Sequence, residues 1–251
     1  MTLRSLVIPR LIAHRGAKAN APENTLAAFR RAREEGATWV EFDVRLTKDD
    51  VPVVIHDKTL NRTTDGHGHV RKTTLAALKQ HDAGGWFAPE FAGERVPTLA
   101  EALDCLAALD MGFNLEIKQS RGLERETTRL ALAVVAQRWP ANRMTPVISS
   151  FSRDALAEAR AVAPDLPRGY LADSLSARWR ATVEALDCRT VHPGWRGLSR
   201  ARINEVKAAG YPLLVWTVNQ VPRARELIGY GVDALITDRP GDLRAALGGQ
   251  A

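Results

Sequence analysis

The sequence predicts an α/β protein built as a single (β/α)8 barrel. Short β-branched or apolar runs recur along the chain, and most precede a stretch of helical periodicity, the pattern of a parallel sheet wrapped by helices. The 251 residues fall within the range that one such barrel fills. No linker, internal repeat or low-complexity segment interrupts the sequence. We therefore expect one domain over residues 1–251, with a β-hairpin arm and a small insertion after the second strand.

The predicted elements alternate in a regular order. The first strand precedes a helix that opens around Asn24 or Thr25, where a short polar side chain can cap the helix. Helices are predicted over 123–138, 153–162 and 176–186, with others after the later strands. The predicted strands cover 11–14, 40–44, 53–56, 113–118, 147–151, 168–172, 190–193, 213–218 and 234–238.

The strand count exceeds the eight that a barrel needs, and the short link between the second and third runs explains the surplus. A parallel crossover requires roughly a dozen residues or more, which this link does not provide. We therefore predict that 53–56 returns antiparallel to 40–44 as the arm of a β-hairpin. A turn centred at Asp49–Asp50 places His56 opposite Asp43.

Residues 57–96 form a long Gly-rich excursion between the hairpin and the next strand. Segments of this length are usually lids or binding loops, so we predict a lid-like insertion. His67-x-His69 resembles half of a zinc site but has no acidic or cysteine partner close in sequence, so we do not expect a metal there. Trp86 and Phe87 either form a lid surface or anchor the excursion to the barrel.

The basic charge balance does not by itself indicate a nucleic-acid partner. The formal net charge is +6 and the isoelectric point is about 9.7. However, Arg and Lys alternate with Glu along most predicted helices, as they do on solvated faces. We expect no nucleic-acid partner, and the sequence does not predict an oligomeric state.

The thiols and apolar runs indicate a cytoplasmic protein. Cys105 and Cys188 lie far apart without a CxxC pair, so we expect free thiols. No apolar run approaches the ~20 residues of a membrane span, and no small-residue cleavage site follows the N-terminal apolar patch. We therefore expect a cytoplasmic location and no membrane partner.

Acidic side chains occupy two otherwise apolar strands. Glu41 and Asp43 are two residues apart and so face the same side of their strand, and Glu116 ends another strand. Like charges held together are unfavourable unless a cation neutralises them. Three carboxylates suit a hard divalent cation, Mg²⁺ or Ca²⁺, better than zinc. The sequence therefore predicts a metal site at the C-terminal mouth of the barrel, where active sites of this fold lie.

Basic residues and histidines end the neighbouring strands. Arg15 follows the first strand, and Lys118 shares the face of Glu116, so both provide positive charge for a phosphoryl group beside the metal. His14 and His56 lie on adjacent elements, where a general base and a general acid would flank phosphorus.

Seven short motifs together resemble the glycerophosphodiester phosphodiesterase family. They occur in order from Ile12 to about Leu247, over nearly the whole chain. Any one of them is weak evidence, but seven in sequence are strong. The motifs are His14-Arg15-Gly16, Pro22-Glu23-Asn24-Thr25, Glu41-x-Asp43, Val54-Ile55-His56-Asp57, Glu116-Ile117-Lys118, Trp216-Thr217-Val218-Asn219 and Thr237-Asp238-x-Pro240.

The resemblance implies an enzyme that hydrolyses deacylated phospholipids to an alcohol and sn-glycerol 3-phosphate. Similarity to phosphoinositide-specific phospholipases further implies that a glycerol hydroxyl can attack phosphorus first, giving a cyclic phosphate. Glu23 and Asn24 are expected to order the first loop and cap its helix. The implied site comprises the metal ligands Glu41, Asp43 and Glu116, the acid/base pair His14 and His56, the phosphate contacts Arg15 and Lys118, and Trp216 as an apolar wall for glycerol.

Two other functions remain open from the sequence. A zinc hydrolase of the amidohydrolase type shares the barrel and a metal, but its first strand usually ends in His-x-His rather than His14-Arg15. A non-enzymatic phosphate or nucleic-acid binding module would not need the acidic trio.

The sequence leaves four properties unassigned. They are the head group of the substrate, the choice between Mg²⁺ and Ca²⁺, the order in which the histidines act, and the role of His192. His192 ends a strand, and its side chain either faces the mouth or lies in the core.

Overall fold

A computed structural model describes residues 6–248, and in it eight parallel strands alternate with helices around a barrel. The strands are β1 Leu11–His14, β2 Trp39–Leu46, β3 Pro52–Val54, β4 Gly112–Ile117, β5 Val147–Ser150, β6 Arg168–Ala172, β7 Thr190–Pro193, β8 Leu214–Val215 and β9 Ala234–Thr237. The helices are α1 Leu26–Glu34, α2 Leu75–Leu78, α3 Leu99–Ala108, α4 Glu124–Arg138, α5 Arg153–Val162, α6 Trp179–Ala185, α7 Arg200–Ala208, α8 Val221–Gly229 and α9 Pro240–Ala246.

The parallel strands follow the order β7-β6-β5-β4-β2-β1-β9-β8. Parallel bridges from Val191 to Leu213 and from Gly194 to Trp216 then join β7 to β8 and bring the two ends of the sheet together. The predicted (β/α)8 barrel is therefore confirmed. The largest differences from the predicted bounds are in two elements, since 213–218 contains only the short strand β8 and 176–186 contains only α6.

The surplus strand β3 pairs antiparallel with β2, as the short link predicted. The predicted register was wrong by one residue. Val44 pairs with Val54, and the amide of Ile55 donates to the carbonyl of Asp43 at 3.0 Å, so Ile55 lies opposite Asp43 and His56 follows it.

The turn explains this one-residue difference. Leu46 pairs with Pro52, so the turn is centred on Asp49 rather than between Asp49 and Asp50. The Thr47 amide donates to the Val51 carbonyl at 3.1 Å, and Asp50 adopts a left-handed conformation with φ of 61°. Aspartate tolerates this conformation, which allows an odd number of turn residues.

Apolar and polar side chains occupy opposite ends of the barrel interior. Side chains two residues apart on a strand face the same side. On β1, Ile12 and His14 therefore both point into the barrel, and on β2 the same holds for Trp39 and Glu41. The mouth therefore collects the polar ends of the strands above an apolar base. The buried base consists of Ile12, Trp39, Val147, Leu214, Ala234 and Ile236.

The excursion packs on the hairpin arm through a small apolar cluster of its own. Trp86 is 41% exposed, donates its indole N–H to the Ala83 carbonyl at 2.9 Å and contacts Phe87 edge-on. These two aromatic residues thus pack within the excursion. The buried members of the cluster are Val53, Ile55, Leu60, Val70, Leu78, Ala83 and Val96.

Cys105 and Cys188 are both free, as predicted. None of the helices in the described part of the chain has the length and apolar character required to cross a membrane.

Candidate active site

Three carboxylates meet at the mouth of the barrel, where the sequence predicted a metal site. Glu41 and Asp43 lie on β2, and the register that pairs Asp43 with Glu116 on β4 brings the third acid beside them. Each offers an oxygen within 4.8 Å of the others, and all three side chains are buried. Within residues 6–248, no other set of acidic, histidine or cysteine side chains has this spacing.

Burial makes the cluster unfavourable without a counter-ion. Burial and the carboxylates of Asp43 and Glu116 raise the pKa of Glu41 well above its usual value. Burial and then Asp43 raise the pKa of Glu116 to about 7. Burial has the same tendency at Asp43, but Arg15 and Lys118 outweigh it and hold that pKa well below its usual value. Arg15 and Lys118 thus form ion pairs with Asp43 and Glu116.

Asp43 is the centre of this arrangement. Its Oδ2 atom accepts a hydrogen bond from Asn24 Nδ2 at 2.9 Å and lies 3.2 Å from Arg15 Nε. Lys118 Nζ lies 2.7 Å from Glu116 Oε1 and 3.3 Å from Asp43 Oδ1. Although Lys118 is close, buried Oδ1 accepts no hydrogen bond from the described residues.

The first loop places Arg15 and Asn24 through unusual backbone conformations. Arg15 has φ of 54° and Asn24 has φ of 58°, both left-handed, and the Asn24 amide donates to the Arg15 carbonyl at 3.0 Å. The loop can approach α1 because Gly16 has no side chain, and a Cβ there would lie 2.6 Å from that of Ala28. Thr25, rather than Asn24, caps α1 by accepting from the Ala28 amide at 3.2 Å. The capping role predicted for Glu23 and Asn24 was wrong, since Asn24 is engaged with the acidic cluster.

His14 is oriented by a carboxylate from the opposite end of the chain. Its Nδ1 lies 2.6 Å from Asp238 Oδ1, and its Nε2 lies 3.9 Å from Glu41 Oε2. Asn219 holds Asp238 by donating to Oδ2 at 2.7 Å and accepting from its amide at 2.9 Å. Burial opposes ionisation of Asp238, but the His14 contact outweighs it and lowers the pKa of Asp238 to about 2. Burial lowers the pKa of His14, although the hydrogen bond to Asp238 opposes this.

His56 has a matching carboxylate. Its Nδ1 lies 2.6 Å from Asp57 Oδ1, and Arg62 donates to both Asp57 oxygens at 2.8 and 3.0 Å. The Arg62 hydrogen bonds hold the pKa of Asp57 well below its usual value. Burial lowers the pKa of His56 although Asp43 opposes this.

Glu23 connects the first loop to the excursion. It accepts hydrogen bonds from Arg15 at 2.7 Å and from two nitrogens of Arg62 at 2.8 Å each, and Lys18 Nζ lies 3.8 Å away. Burial raises its pKa, but Arg62 and Arg15 outweigh this and lower the value to about 2. The excursion therefore reaches the site through one guanidinium that binds both Glu23 and Asp57.

Trp216 directly follows β8 and is held by an aromatic contact and a hydrogen bond. Its ring contacts Phe151 edge-on at 5.6 Å, and its indole N–H donates to the His192 carbonyl at 2.8 Å. His192 itself belongs to the core, because it is fully buried, contacts Thr190 Oγ1 at 2.7 Å and has its pKa lowered by burial to about 3.

The structure brings together the metal-ligand candidates, both histidines, Arg15 and Lys118, as the sequence predicted for the mouth. Sequence reasoning did not assign roles to Asp238, Asn219, Asp57 or Arg62. Asp238 and Asp57 lay inside recognised motifs, which was the available signal, but their pairing with histidines depends on how the barrel closes. His67 and His69 join no metal cluster among residues 6–248.

The sequence and the fold match known proteins over nearly the full chain. Residues 14–242 match the model of the Glycerophosphoryl diester phosphodiesterase family. A glycerophosphodiester phosphodiesterase of Caldanaerobacter subterraneus is 38% identical, with 92% of this chain and 94% of the relative covered. A phosphodiesterase of Oleispira antarctica, solved in complex with the product sn-glycerol-3-phosphate, is 41% identical with a TM-score of 0.94, covering 96% of this chain and 97% of that one. A glycerophosphodiester phosphodiesterase structure from Agrobacterium tumefaciens is 29% identical with a TM-score of 0.81. The match covers 95% of this chain and 100% of that one.

These matches identify the chain as a phosphoric diester hydrolase. The chain belongs to the glycerophosphoryl diester phosphodiesterase family. The family resemblance and the enzyme class predicted from the sequence, a glycerophosphodiester phosphodiesterase, are thereby confirmed.

Proposed function

We propose that this enzyme hydrolyses glycerophosphodiesters to an alcohol and sn-glycerol 3-phosphate with a divalent metal and two acid/base histidines. The observation that carries the proposal is the buried trio Glu41, Asp43 and Glu116 beside two histidines, each of which is bonded to a carboxylate. The bound product of the Oleispira relative supports the choice of glycerol phosphate as one product.

The acidic trio fits a hard divalent cation. Asp43 Oδ1 is buried without a hydrogen bond from the described residues, and burial with the neighbouring acids raises the pKa of Glu41 and Glu116. An oxygen-only donor set suits Mg²⁺ or Ca²⁺. A bound ion would neutralise these acids and polarise a phosphoryl oxygen.

Arg15 and Lys118 are the proposed phosphate contacts. Both side chains are 12% exposed, so their N–H donors are largely shielded from water. Charge-assisted hydrogen bonds are stronger in such a shielded site than in water. Their ion pairs with Asp43, Glu23 and Glu116 fix where the charges lie before substrate arrives. Such preorganised positive charge favours the extra negative charge of the transition state.

The carboxylate partners define the tautomer of each histidine. Asp238 and Asp57 have lowered pKa values and are ionised near neutral pH, so each can only accept a hydrogen bond. The proton of each neutral ring must therefore lie on Nδ1, which leaves the Nε2 lone pair of His14 and His56 for chemistry.

The two histidines divide the proton transfers of the reaction. One Nε2 removes the proton of the attacking hydroxyl, either that of water or the one on the neighbouring glycerol carbon, as the new P–O bond forms. Attack by the glycerol hydroxyl gives a cyclic phosphate, and water then opens this ring to sn-glycerol 3-phosphate. The other histidine, protonated on both nitrogens, donates to the leaving oxygen as the old P–O bond breaks. We further propose that Trp216 and Phe151 form the apolar wall against the glycerol carbons.

Turnover of glycerophosphocholine with Mg²⁺, followed by phosphorus NMR, tests the proposed function. We expect sn-glycerol 3-phosphate and free choline. Release of phosphocholine and glycerol, or no turnover of glycerophosphodiesters with choline, ethanolamine, glycerol or inositol head groups, would contradict it.

A further inference from the structure

Arg45 is a buried cation without an ion pair. Its relative exposure is 6%, yet it forms no salt bridge within 4.0 Å to any residue from 6 to 248. Arg168, another buried arginine, pairs with Asp187 at 2.6 Å. Buried charges are normally paired because desolvation of an isolated charge is costly. The unpaired charge of Arg45 therefore requires an explanation.

Neutral acceptors hold the guanidinium of Arg45 in place. Nε donates to the His56 carbonyl at 2.7 Å, and Nη1 donates to the Gln119 carbonyl at 3.2 Å and to Ser120 Oγ at 2.9 Å. No acceptor in the described part of the chain receives a hydrogen bond from Nη2. These hydrogen bonds thus hold the side chain in position, while Nη2 has no acceptor and the positive charge has no ion-pair partner among the described residues.

Arg45 lies at the mouth, on the side of His56. It follows Asp43 by two residues on β2 and so shares its inward face, while its acceptors belong to the hairpin arm and to the loop after β4. The acids that act on it electrostatically, Asp43, Glu116 and Asp57, lie beyond ion-pair distance, and each is bonded to another cation.

We propose that Arg45 is a substrate-binding residue whose free nitrogen and charge bind an oxyanion of the glycerophosphodiester. The oxyanion is either a non-bridging oxygen of the scissile phosphate or an acidic group on the alcohol portion, such as a carboxylate. This inference rests on the proposed function, and it adds a third cation to the two that the sequence predicted.

Comparison of two substrates with Arg45→Gln tests the inference and separates the two sources of the oxyanion. Glycerophosphoserine carries a carboxylate on its head group and glycerophosphocholine does not. We expect kcat/KM to fall about tenfold or more, the effect of losing a charge-assisted hydrogen bond. An equal fall for both substrates assigns Arg45 to the scissile phosphate, and a fall confined to glycerophosphoserine assigns it to the head group. Unchanged kcat/KM for both would overturn the inference.

A second variant distinguishes the loss of a substrate contact from a loss of folding. Ser120→Asp keeps Arg45 and supplies a carboxylate where the hydroxyl now accepts its hydrogen bond. We expect an equal or higher melting temperature, because the buried charge gains a partner, with the same loss of kcat/KM. A folded Ser120→Asp enzyme with unchanged kinetics on both substrates would contradict the inference. Arg95→Gln, at an exposed arginine of the excursion, serves as the matched control.

Binding without turnover separates this inference from the proposed function. Glycerophosphoserine contains both candidate oxyanions, so its calorimetric dissociation constant in excess chelator reports any contact with Arg45. We expect the constant to rise about tenfold or more in Arg45→Gln. An unchanged constant would refute the role of Arg45 even if the wild type hydrolysed every substrate, whereas a raised constant without turnover would support Arg45 and refute the proposed function.

Discussion

Each catalytic histidine candidate is paired at Nδ1 with a carboxylate that another side chain holds. Asn219 holds Asp238 beside His14, and Arg62 holds Asp57 beside His56. These pairs explain how both rings present Nε2 to the mouth.

Replacement of either histidine tests this assignment. We predict that His14→Ala and His56→Ala each lower kcat by about 10² to 10⁴ while metal affinity stays nearly the same. Burial lowers the pKa of both rings, so both limbs of the wild-type pH–rate profile, the rising limb of the neutral base and the falling limb of the protonated acid, should lie below about pH 6.5. Each variant should lose one limb of a bell-shaped profile.

The control for these variants is His81→Ala, since His81 lies on the excursion and contacts Asp65. It should retain the wild-type profile. If His14→Ala keeps near-normal kcat and both limbs, His14 is a structural residue and the two-histidine mechanism is wrong.

Glu116 links metal binding to the pH dependence of stability. Its pKa is raised to about 7 from a usual value of 4.5, so it stabilises the metal-free fold below pH 4.5, and that contribution is lost as pH rises through about 7. We predict that the melting temperature of the chelated wild type falls over this interval. Glu116→Gln should remove much of the fall, weaken metal binding and stay folded. A steeper fall in the variant would contradict the account.

Sequence reasoning identified the residues that end apolar strands, because a charge in such a position is conspicuous. It did not identify the partners of His14, since Asp238 lies 224 positions away and becomes adjacent only when β9 pairs with β1. Arg45 was not identified either, because its unpaired charge is visible only once its surroundings are known.

The hairpin shows what local sequence can and cannot define. The short link required an antiparallel arm, and β3 confirms it. Its register depended on the left-handed Asp50, and a turn one residue different in length moved Ile55 into the position expected for His56. His56 still lies close enough to Asp43 to act on it electrostatically.

The excursion contributes to the site through Arg62, which binds Glu23 and Asp57 together. We predict that Arg62→Ala lowers kcat/KM by about tenfold, because it loosens the supports of Arg15 and His56 at once. Arg95→Ala, which removes another excursion arginine, should have little effect. Equal kinetics for the two variants would show that Arg62 does not position the site.

The alternation of strands and helices along the chain was sufficient to predict the barrel. The internal structure of residues 57–96 was not predictable, because its small apolar cluster combines residues of the hairpin arm with scattered positions of the excursion. The same barrel also fits the zinc hydrolase and binding-module alternatives, so fold alone does not decide function. The family match decides against both.

The proposed reaction depends on a divalent metal, and chelation followed by metal add-back tests this dependence. The measurement is the rate of glycerophosphocholine hydrolysis in excess chelator and after dialysis into Mg²⁺, Ca²⁺ or Zn²⁺. The three buried carboxylates predict that chelation abolishes turnover and that Mg²⁺ or Ca²⁺ restores it better than Zn²⁺. Full activity in excess chelator, or restoration by Zn²⁺ alone, would contradict the account.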